Sequence, residues 1–330
     1  MQSDRRPRLT PAVADIRRAV RAVLPTDGLV LVALSGGADS LALAAATAFE
    51  ASRAGVRAGA VIVDHALQAG SAAVAATAAE QARTLGLDPV LVVAVTVEDA
   101  SSGGGPEASA RTARYAALAR AATETGASAV LLGHTLDDQA ETVLLGLARG
   151  SGPTSLQGMS VRNGIYARPL LGIRRALTRQ FCMDSGLAWW DDPHNLDPRY
   201  TRVRVRETVL PVLEWELGPG VAEALARTAD QLREDSEALD AMVLELIEEI
   251  VEHAEAGIAV SVGALLANPA ALRQRIIRYV VESEFGVSLE RTHTLAVARL
   301  VTDWHGQKTL DLPGVRVERQ DGMLVFTAEG

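Results

Sequence analysis

Four short apolar runs, separated by alanine-rich stretches of helical length, constrain this chain more than any other feature. They occupy residues 29–34, 58–63, 89–95 and 128–132. Strands that each lead into a helix before the next strand pair in parallel, so the alternation predicts an α/β domain built on a parallel, doubly wound sheet. Ligands of such sheets bind beyond the carboxyl ends of the strands. Here those ends carry Ser35, then Asp64 and His65, then Gly133 and His134. Polar residues therefore collect along one rim.

The first of these ends is the most specific. In LVLVALSGGADSLALAAA, residues 29–46, a strand runs through Ser35, Gly36, Gly37, Ala38, Asp39 and Ser40 into a helix. Gly36 and Gly37 allow a sharp turn and close approach to a ligand, while the hydroxyls and the free N–H groups of the new helix can donate to an anion. No lysine follows the glycines, so this is not the Walker pattern. Asp39 beside a polyphosphate is repulsive unless a divalent cation lies between them, which points to Mg²⁺. Helix capping is the plainer reading of the same carboxylate. The S-G-G-x-D-S arrangement resembles the pyrophosphate loop of the ATP pyrophosphatase superfamily, with its adenine nucleotide α-hydrolase-like fold. That resemblance implies ATP bound at residues 35–40 and cleaved between its α and β phosphates, and it leaves the acceptor open.

Composition narrows the setting. A chain of 330 residues predicts two domains, taken here as 1–215 and 216–330. Cys182 is the single cysteine, which excludes an internal disulfide and a Cys-x-x-Cys cluster site. No run approaches the roughly 18–20 apolar residues of a membrane span, and the N-terminus lacks the apolar segment of a signal peptide, so a soluble, cytoplasmic protein with no membrane partner is expected. Net charge is −9, but the charges are segregated. Residues 162–206 hold nine arginines against four aspartates, and residues 214–255 hold thirteen acids against two arginines. Polyanion binding follows the local patch rather than the total.

After Gly150 the strand–helix alternation stops. Apolar residues recur at helical spacing from 221 to 253, which predicts one long amphipathic helix. A solvated spacer between domains is the favoured reading, and a seam to a second copy, hence a homodimer, fits the same pattern. The remainder reads as shorter helices followed by two or three strands around KTLDLPGVRVERQDGMLVF. The C-terminal domain is thus expected to be mainly helical with a small β element. SSGGGPE, residues 101–107, reads as a loop opening a helix at Pro106 and Glu107.

GHTLDDQAETVLLGLARGSG, residues 133–152, narrows the acceptor. His134 leaves the fourth strand, and Asp137 and Glu141 lie four apart on the next helix, sharing one face near its start. Two acids converging on a rim suit a cationic substrate, whereas Asp138 is accounted for as a cap. With the loop at residue 35, this segment closely resembles the G-H-x-x-D-D-Q-x-E-T motif of the tRNA(Ile)-lysidine synthetases. VDHAL at 63–67, ARTARYAAL at 110–118, RPLL at 168–171 and DDPHNLDPRYTRVRVRETVLP at 191–211 resemble that family's other motifs in order. His194 and Val203 depart from it, standing where the family usually has Ser or Thr and often has Asn. GQKTLDLPGVRVERQDGMLVF resembles the end of the family's first C-terminal domain, so the chain resembles the short form.

The resemblance implies ATP-dependent ligation of L-lysine to C2 of the wobble cytidine of CAU-anticodon tRNA(Ile), through an adenylated base, releasing AMP and diphosphate and changing codon reading from AUG to AUA. Asp39, His134, Asp137 and Glu141 are the expected catalytic residues, with Asp39 on the metal and Asp137 and Glu141 on lysine. Asp64, His65, Arg111 and Arg114 join residues 35–40 as candidates for ATP, although His134 and the two arginines could equally meet the lysine carboxylate. Arg199, Arg202, Arg204 and Arg206 are the expected tRNA contacts. Pairing of such arginines with Asp191, Asp192 and Asp197 is the alternative.

Overall fold

The computed structural model describes residues 9–64, 70–95, 105–150, 152–254 and 257–329. The chain divides into two compact units, Met1–Leu232 and Arg233–Gly330. Each has its own apolar core.

In the first unit the four apolar runs become β1 (Leu29–Ala33), β2 (Arg57–Asp64), β3 (Val90–Ala94) and β4 (Ala129–Leu131). They pair in parallel, and a two-residue hairpin, β5 (Arg162–Asn163) and β6 (Tyr166–Ala167), extends the sheet to the order β3-β2-β1-β4-β6-β5. The chain steps outward from β1 to β3, then returns to place β4 on the other side of β1. Strand order therefore reverses between β1 and β4, the place where a doubly wound sheet opens a crevice for ligands.

Helices α1 (Pro11–Arg21), α2 (Ala38–Ala54) and α3 (Ser71–Thr84) contribute to the main core, whereas α4 (Gly105–Thr125) lays Leu118, Ala121 and Ala122 against Leu29, Leu31, Val61 and Val130. In α1, Thr10 caps the start, Pro11 opens the first turn, and Val13, Ile16 and Val20 turn inward at helical spacing. α4 begins at Gly105, next to the expected opening at Pro106, while residues 101–104 lie outside the described residues.

The rest of this unit is α5 (Leu136–Arg149), α6 (Pro153–Leu156), α7 (Arg175–Asp184), α8 (Thr201–Arg204) and α9 (Leu210–Glu216), then the start of α10 (Val221–Ile250). Ala222 and Ala226 of α10 are buried with Leu136, Ala140, Val205 and Leu210. The first unit therefore runs on to Leu232 instead of closing at 215. The long helix is not purely a solvated spacer, because its two ends belong to two different cores.

The second unit holds the end of α10, then β7 (Val251–Ala254), β8 (Gly257–Ser261), α11 (Val262–Ala267), α12 (Ala270–Phe285), α13 (Arg291–Thr302), β9 (Leu310–Leu312), β10 (Val315–Gln320) and β11 (Met323–Ala328). Its strands form an antiparallel sheet ordered β7-β8-β11-β10-β9. The expected long helix stops at Ile250 rather than 253, because residues from Val251 onward pair with β8. The expected terminal strands are present as β9 to β11. Among the described residues no helix is long and apolar enough to cross a membrane.

Candidate active site

The rim at the β1/β4 crevice is built from two chain segments brought unusually close. Gly36 adopts a φ of +84°, a left-handed turn that favours glycine, and its carbonyl accepts from Trp190 N–H at 2.9 Å. Ser35 N–H donates to Ser40 Oγ at 3.1 Å, and Ser40 Oγ donates to the Gly37 carbonyl at 3.0 Å. The loop is thus braced before any ligand arrives. Gly37 is the N-cap of the 17-residue α2 and makes no side-chain cap, so the first-turn N–H groups lack the partner a serine or aspartate cap would provide. A braced loop at the positive end of a long helix is an anion cradle.

Gly133, just beyond β4, is the point of closest approach. A Cβ there would lie 3.1 Å from Ser40 N and 3.2 Å from the Asp39 carbonyl carbon. A side chain there would press on the backbone of the first turn of α2, which would have to give by a few tenths of an ångström. The contact brings His134 and the start of α5 beside Asp39. Thr135 and Asp138 form a reciprocal capping box at that start, as expected for Asp138.

Asp138 also belongs to a cluster that sequence reasoning missed. Arg175 donates from its backbone N–H to Asp137 at 2.7 Å, from Nη2 to Asp138 at 2.7 Å, from Nη1 to Glu141 at 3.3 Å and from Nε to Asp39 at 3.4 Å. One residue touches all four carboxylates. Thr178, one turn further along α7, hydrogen-bonds the other Asp39 oxygen. Burial works against the Arg175 charge, but Asp138, Glu141, Asp39 and Asp137 together hold the guanidinium above its ordinary range. Burial would likewise raise Asp138, yet Arg175 and the Thr135 hydrogen bonds outweigh it and hold this carboxyl low. Asp39 goes the other way: burial dominates over Thr178 and Arg175, and its carboxyl is raised.

The expected acceptor pair divides in two. The Asp137 carboxylate retains 21% exposure, with Arg174 Nη1 3.6 Å away. Glu141 is fully enclosed, bound by Arg206 Nε at 2.7 Å and Nη2 at 3.0 Å, and approached by Arg175 and by Arg202 Nε at 3.4 Å. Both acids do lie on one side of α5, but the 175–206 segment covers the Glu141 end of it.

The expected tRNA contacts are consequently not one exposed strip. Arg202 and Arg206 turn inward to Glu141 and, for Arg206, Asp138. Arg199 pairs with Asp197, and Arg204 donates to the carbonyls of Pro198 and Arg199. Of the acids near in sequence, Asp197 pairs with Arg199 and Asp191 with Arg179. Arg111 and Arg114 stack against Tyr115, with their guanidinium carbons 4.9 and 5.8 Å from its ring centre. Asp64 ends β2 on the same rim, and His65 lies outside the described residues.

His134 is a neutral group here. Burial pushes its imidazole down to about 3, with Arg114, Arg168 and Arg111 acting in the same direction and Asp138 opposing, and its Nδ1 is buried without a hydrogen-bond partner. It can offer a hydrogen bond to a phosphate or base, but no positive charge. Cys182 is buried, and its thiol is pushed up to about 12 by burial and by Asp39, so it supplies no thiolate.

Among the described residues, no group of three His, Cys, Asp or Glu is placed to hold a metal unaided. The Asp39 carboxylate beside the anion cradle fits Mg²⁺ in kind, since that ion takes one or two carboxylates and fills its remaining positions with phosphate oxygens and water, although Arg175 and Thr178 share the carboxylate with it.

A glycine-braced anion cradle at the switch point of a parallel sheet defines a PP-loop, ATP-utilising protein, and residues 11–213 match the PP-loop domain family. Residues 261–325 match the TilS substrate binding domain. The chain belongs to the tRNA(Ile)-lysidine synthase family. It is 67% identical over 304 residues to the tRNA(Ile)-lysidine synthase of Leifsonia xyli, covering 92% of this chain and 91% of that one. With the Thermobifida fusca tRNA(Ile)-lysidine synthase it shares 51% identity over 325 residues, 97% of this chain and 98% of the relative. A U34-tRNA thiolase from Methanococcus maripaludis shares the fold, with a TM-score of 0.58, 20% identity, and coverage of 68% of this chain and 80% of that one.

Proposed function

We propose that this chain is a carbon–nitrogen ligase that joins L-lysine to C2 of the wobble cytidine of a CAU-anticodon tRNA(Ile), using ATP. The observation that carries this reading is the contact of the PP loop with the acidic start of α5 across Gly133, in a chain of this family. Cytidine O2 is a poor leaving group. Attack of O2 on the α phosphorus breaks the bond to the β phosphate, releases diphosphate and turns that oxygen into part of a departing AMP. The loop at Ser35–Ser40 and the N–H groups of α2 hold the leaving diphosphate. Mg²⁺ bound at Asp39 would supply neutralisation of charge on the phosphates.

The lysine Nζ then forms the bond to C2 as the C2–O2 bond breaks and AMP departs. An alkyl ammonium is mostly protonated near neutral pH, with an ordinary pKa of about 10.4, so the amine needs an acceptor for its proton. Asp137 is the more accessible member of the acceptor pair and is assigned to that contact. Glu141 acts through Arg175, Arg202 and Arg206, holding them in place. His134 serves as a neutral hydrogen-bonding group beside the phosphates.

The test is incubation of the protein with ATP, labelled lysine and CAU-anticodon tRNA(Ile). Label should enter the tRNA only when ATP is present, with one AMP and one diphosphate released per lysine joined. ATP turnover that ignores tRNA and lysine would assign the site to a different PP-loop synthetase.

A further inference from the structure

A groove of about 780 Å³ opens between α4 and α5, and its walls carry four arginines, Arg111, Arg114, Arg149 and Arg202, with the hydroxyls of Thr142 and Thr201. Among the described residues no acidic side chain lines it. Arg202 reaches Glu141 beneath the groove and donates to Thr142 Oγ1 at 2.8 Å. Among the described residues, Arg111, Arg114 and Arg149 have no carboxylate partner. Elsewhere in this unit arginines are closely matched to acids, at Arg21 with Glu50, Arg175 with Asp138 and Arg206 with Glu141. Convergence of like charges without acids raises the energy of the empty groove and is relieved by a bound polyanion. Burial and the neighbouring Arg111 and Arg202 lower the Arg114 pKa, which records the same unbalanced charge.

We infer that this groove binds backbone phosphates of the tRNA acceptor, with Arg149 as its outer contact. The inference rests on the proposed tRNA reading and assigns that substrate a surface that adjoins the Glu141 cluster at Arg202 and extends outward to Arg149. The anion cradle sits at the start of α2, which belongs to the main core, whereas α4 covers Leu29, Leu31 and Val130 in a separate core. Arg149 is the last residue of α5, about 12 Å along the helix axis from Glu141 at 1.5 Å per residue. The groove thus follows α5 from Thr142 to Arg149, as an extended backbone requires. The guanidiniums of Arg111, Arg114 and Arg149 and the Thr201 hydroxyl suit phosphate oxygens, and the alanine and leucine side chains between them leave room for a ribose.

The experiment compares Arg149→Ala, Arg149→Glu and Arg149→Lys with the unaltered chain. Arg149 is exposed and has no carboxylate partner among the described residues, so the variants should fold, which thermal melting verifies. Affinity for an unmodified CAU-anticodon tRNA is measured without ATP or lysine from about 50 to 200 mM salt, and the Kd of a non-hydrolysable ATP analogue is measured separately. Losing one phosphate contact should weaken tRNA binding about five- to tenfold at low salt and flatten the slope of log affinity against log salt by about one for Arg149→Ala. Arg149→Glu should lose more, Arg149→Lys should stay near the unaltered chain, and the ATP analogue should bind all four equally. Unchanged tRNA affinity and slope in a folded Arg149→Glu protein overturn the inference. Weakened ATP-analogue binding with an intact tRNA slope overturns it as well, assigning the groove to the nucleotide. Because no lysine transfer is measured, failure of the ligase reading would show separately, as RNA binding through Arg149 in a protein that joins no lysine.

Discussion

Arg175 and Asp39 lie 136 positions apart in the chain, yet the Arg175 Nε stands 3.4 Å from the Asp39 carboxylate. The guanidinium neutralises the loop acid together with three acids of α5. Four carboxylates, from Asp39, Asp137, Asp138 and Glu141, are thereby matched by Arg174, Arg175, Arg202 and Arg206.

Removing Arg175 should therefore be costly. Breaking a buried pair by deleting one partner costs about 3–5 kcal/mol, because the other charge is left uncompensated. Arg175→Ala is expected to lower the urea midpoint accordingly and to abolish diphosphate release. Arg175→Lys should recover part of the stability, since one ammonium cannot reach Asp39, Asp138 and Glu141 together. Equal midpoints for the Ala variant and the unaltered chain would show that the cluster contributes nothing to folding.

Asp137 and Glu141 should separate kinetically. Asp137→Asn is expected to raise the lysine KM about tenfold or more, with tRNA adenylation largely spared, since loss of a charged hydrogen bond costs about 1.5–3 kcal/mol. Glu141→Gln should lower adenylation and lysine transfer together, because it releases Arg175 and Arg206. Steady-state diphosphate release and labelled-lysine transfer, measured on the same preparations, decide between these outcomes. Parallel losses in both variants would remove the assignment of Asp137 to lysine.

Gly133→Ala tests the approach of the two loops. The added Cβ meets backbone atoms of Asp39 and Ser40, which cannot rotate away. Overpacking of this kind costs about 1–3 kcal/mol. Displacing the reacting groups by about 1 Å costs up to about 10²-fold in rate. A stable Gly133→Ala protein with the unaltered rate of diphosphate release would show that the gap between β4 and α2 is tolerant.

The neutral His134 makes stability fall in mild acid. Its folded value of about 3 lies below the ordinary 6.5, so the unfolded chain takes up the proton first. The contribution is complete above pH 6.5 and is lost progressively as pH drops towards 3, with a limiting slope of about 1.4 kcal/mol per pH unit. Asp138, held low, is lost only as pH falls below the ordinary carboxylate range, at the acid end of this window. Urea midpoints for His134→Gln should accordingly change less between about pH 7 and pH 5 than those of the unaltered chain. Identical pH dependence would show that His134 takes up its proton equally in both states.

Much of this was legible in the sequence because it is local. β1 to β4 carry continuous apolar runs, the PP loop is contiguous, and the capping role of Asp138 follows from Thr135 three residues before it. The hairpin of β5 and β6 has two residues per strand, too few to display a period. Arg175 and Thr178 reach Asp39 only because α7 folds back onto α2, and nothing in their own segment marks that return. The inward turn of Arg202 and Arg206 was hidden for the same reason. Their partner Glu141 lies 61 and 65 positions away, while the acids nearby at Asp191, Asp192 and Asp197 pointed elsewhere.

Cys182, sealed beneath the loop with its Sγ 3.5 Å from the Ala38 carbonyl, is also the chain's single thiol. A maleimide or disulfide reagent can reach it only when α7 lifts from the start of α2. Labelling rate in the unaltered protein is therefore a clock for opening of the nucleotide cradle, read without any engineered probe, and ligands that clamp the cradle shut should slow it.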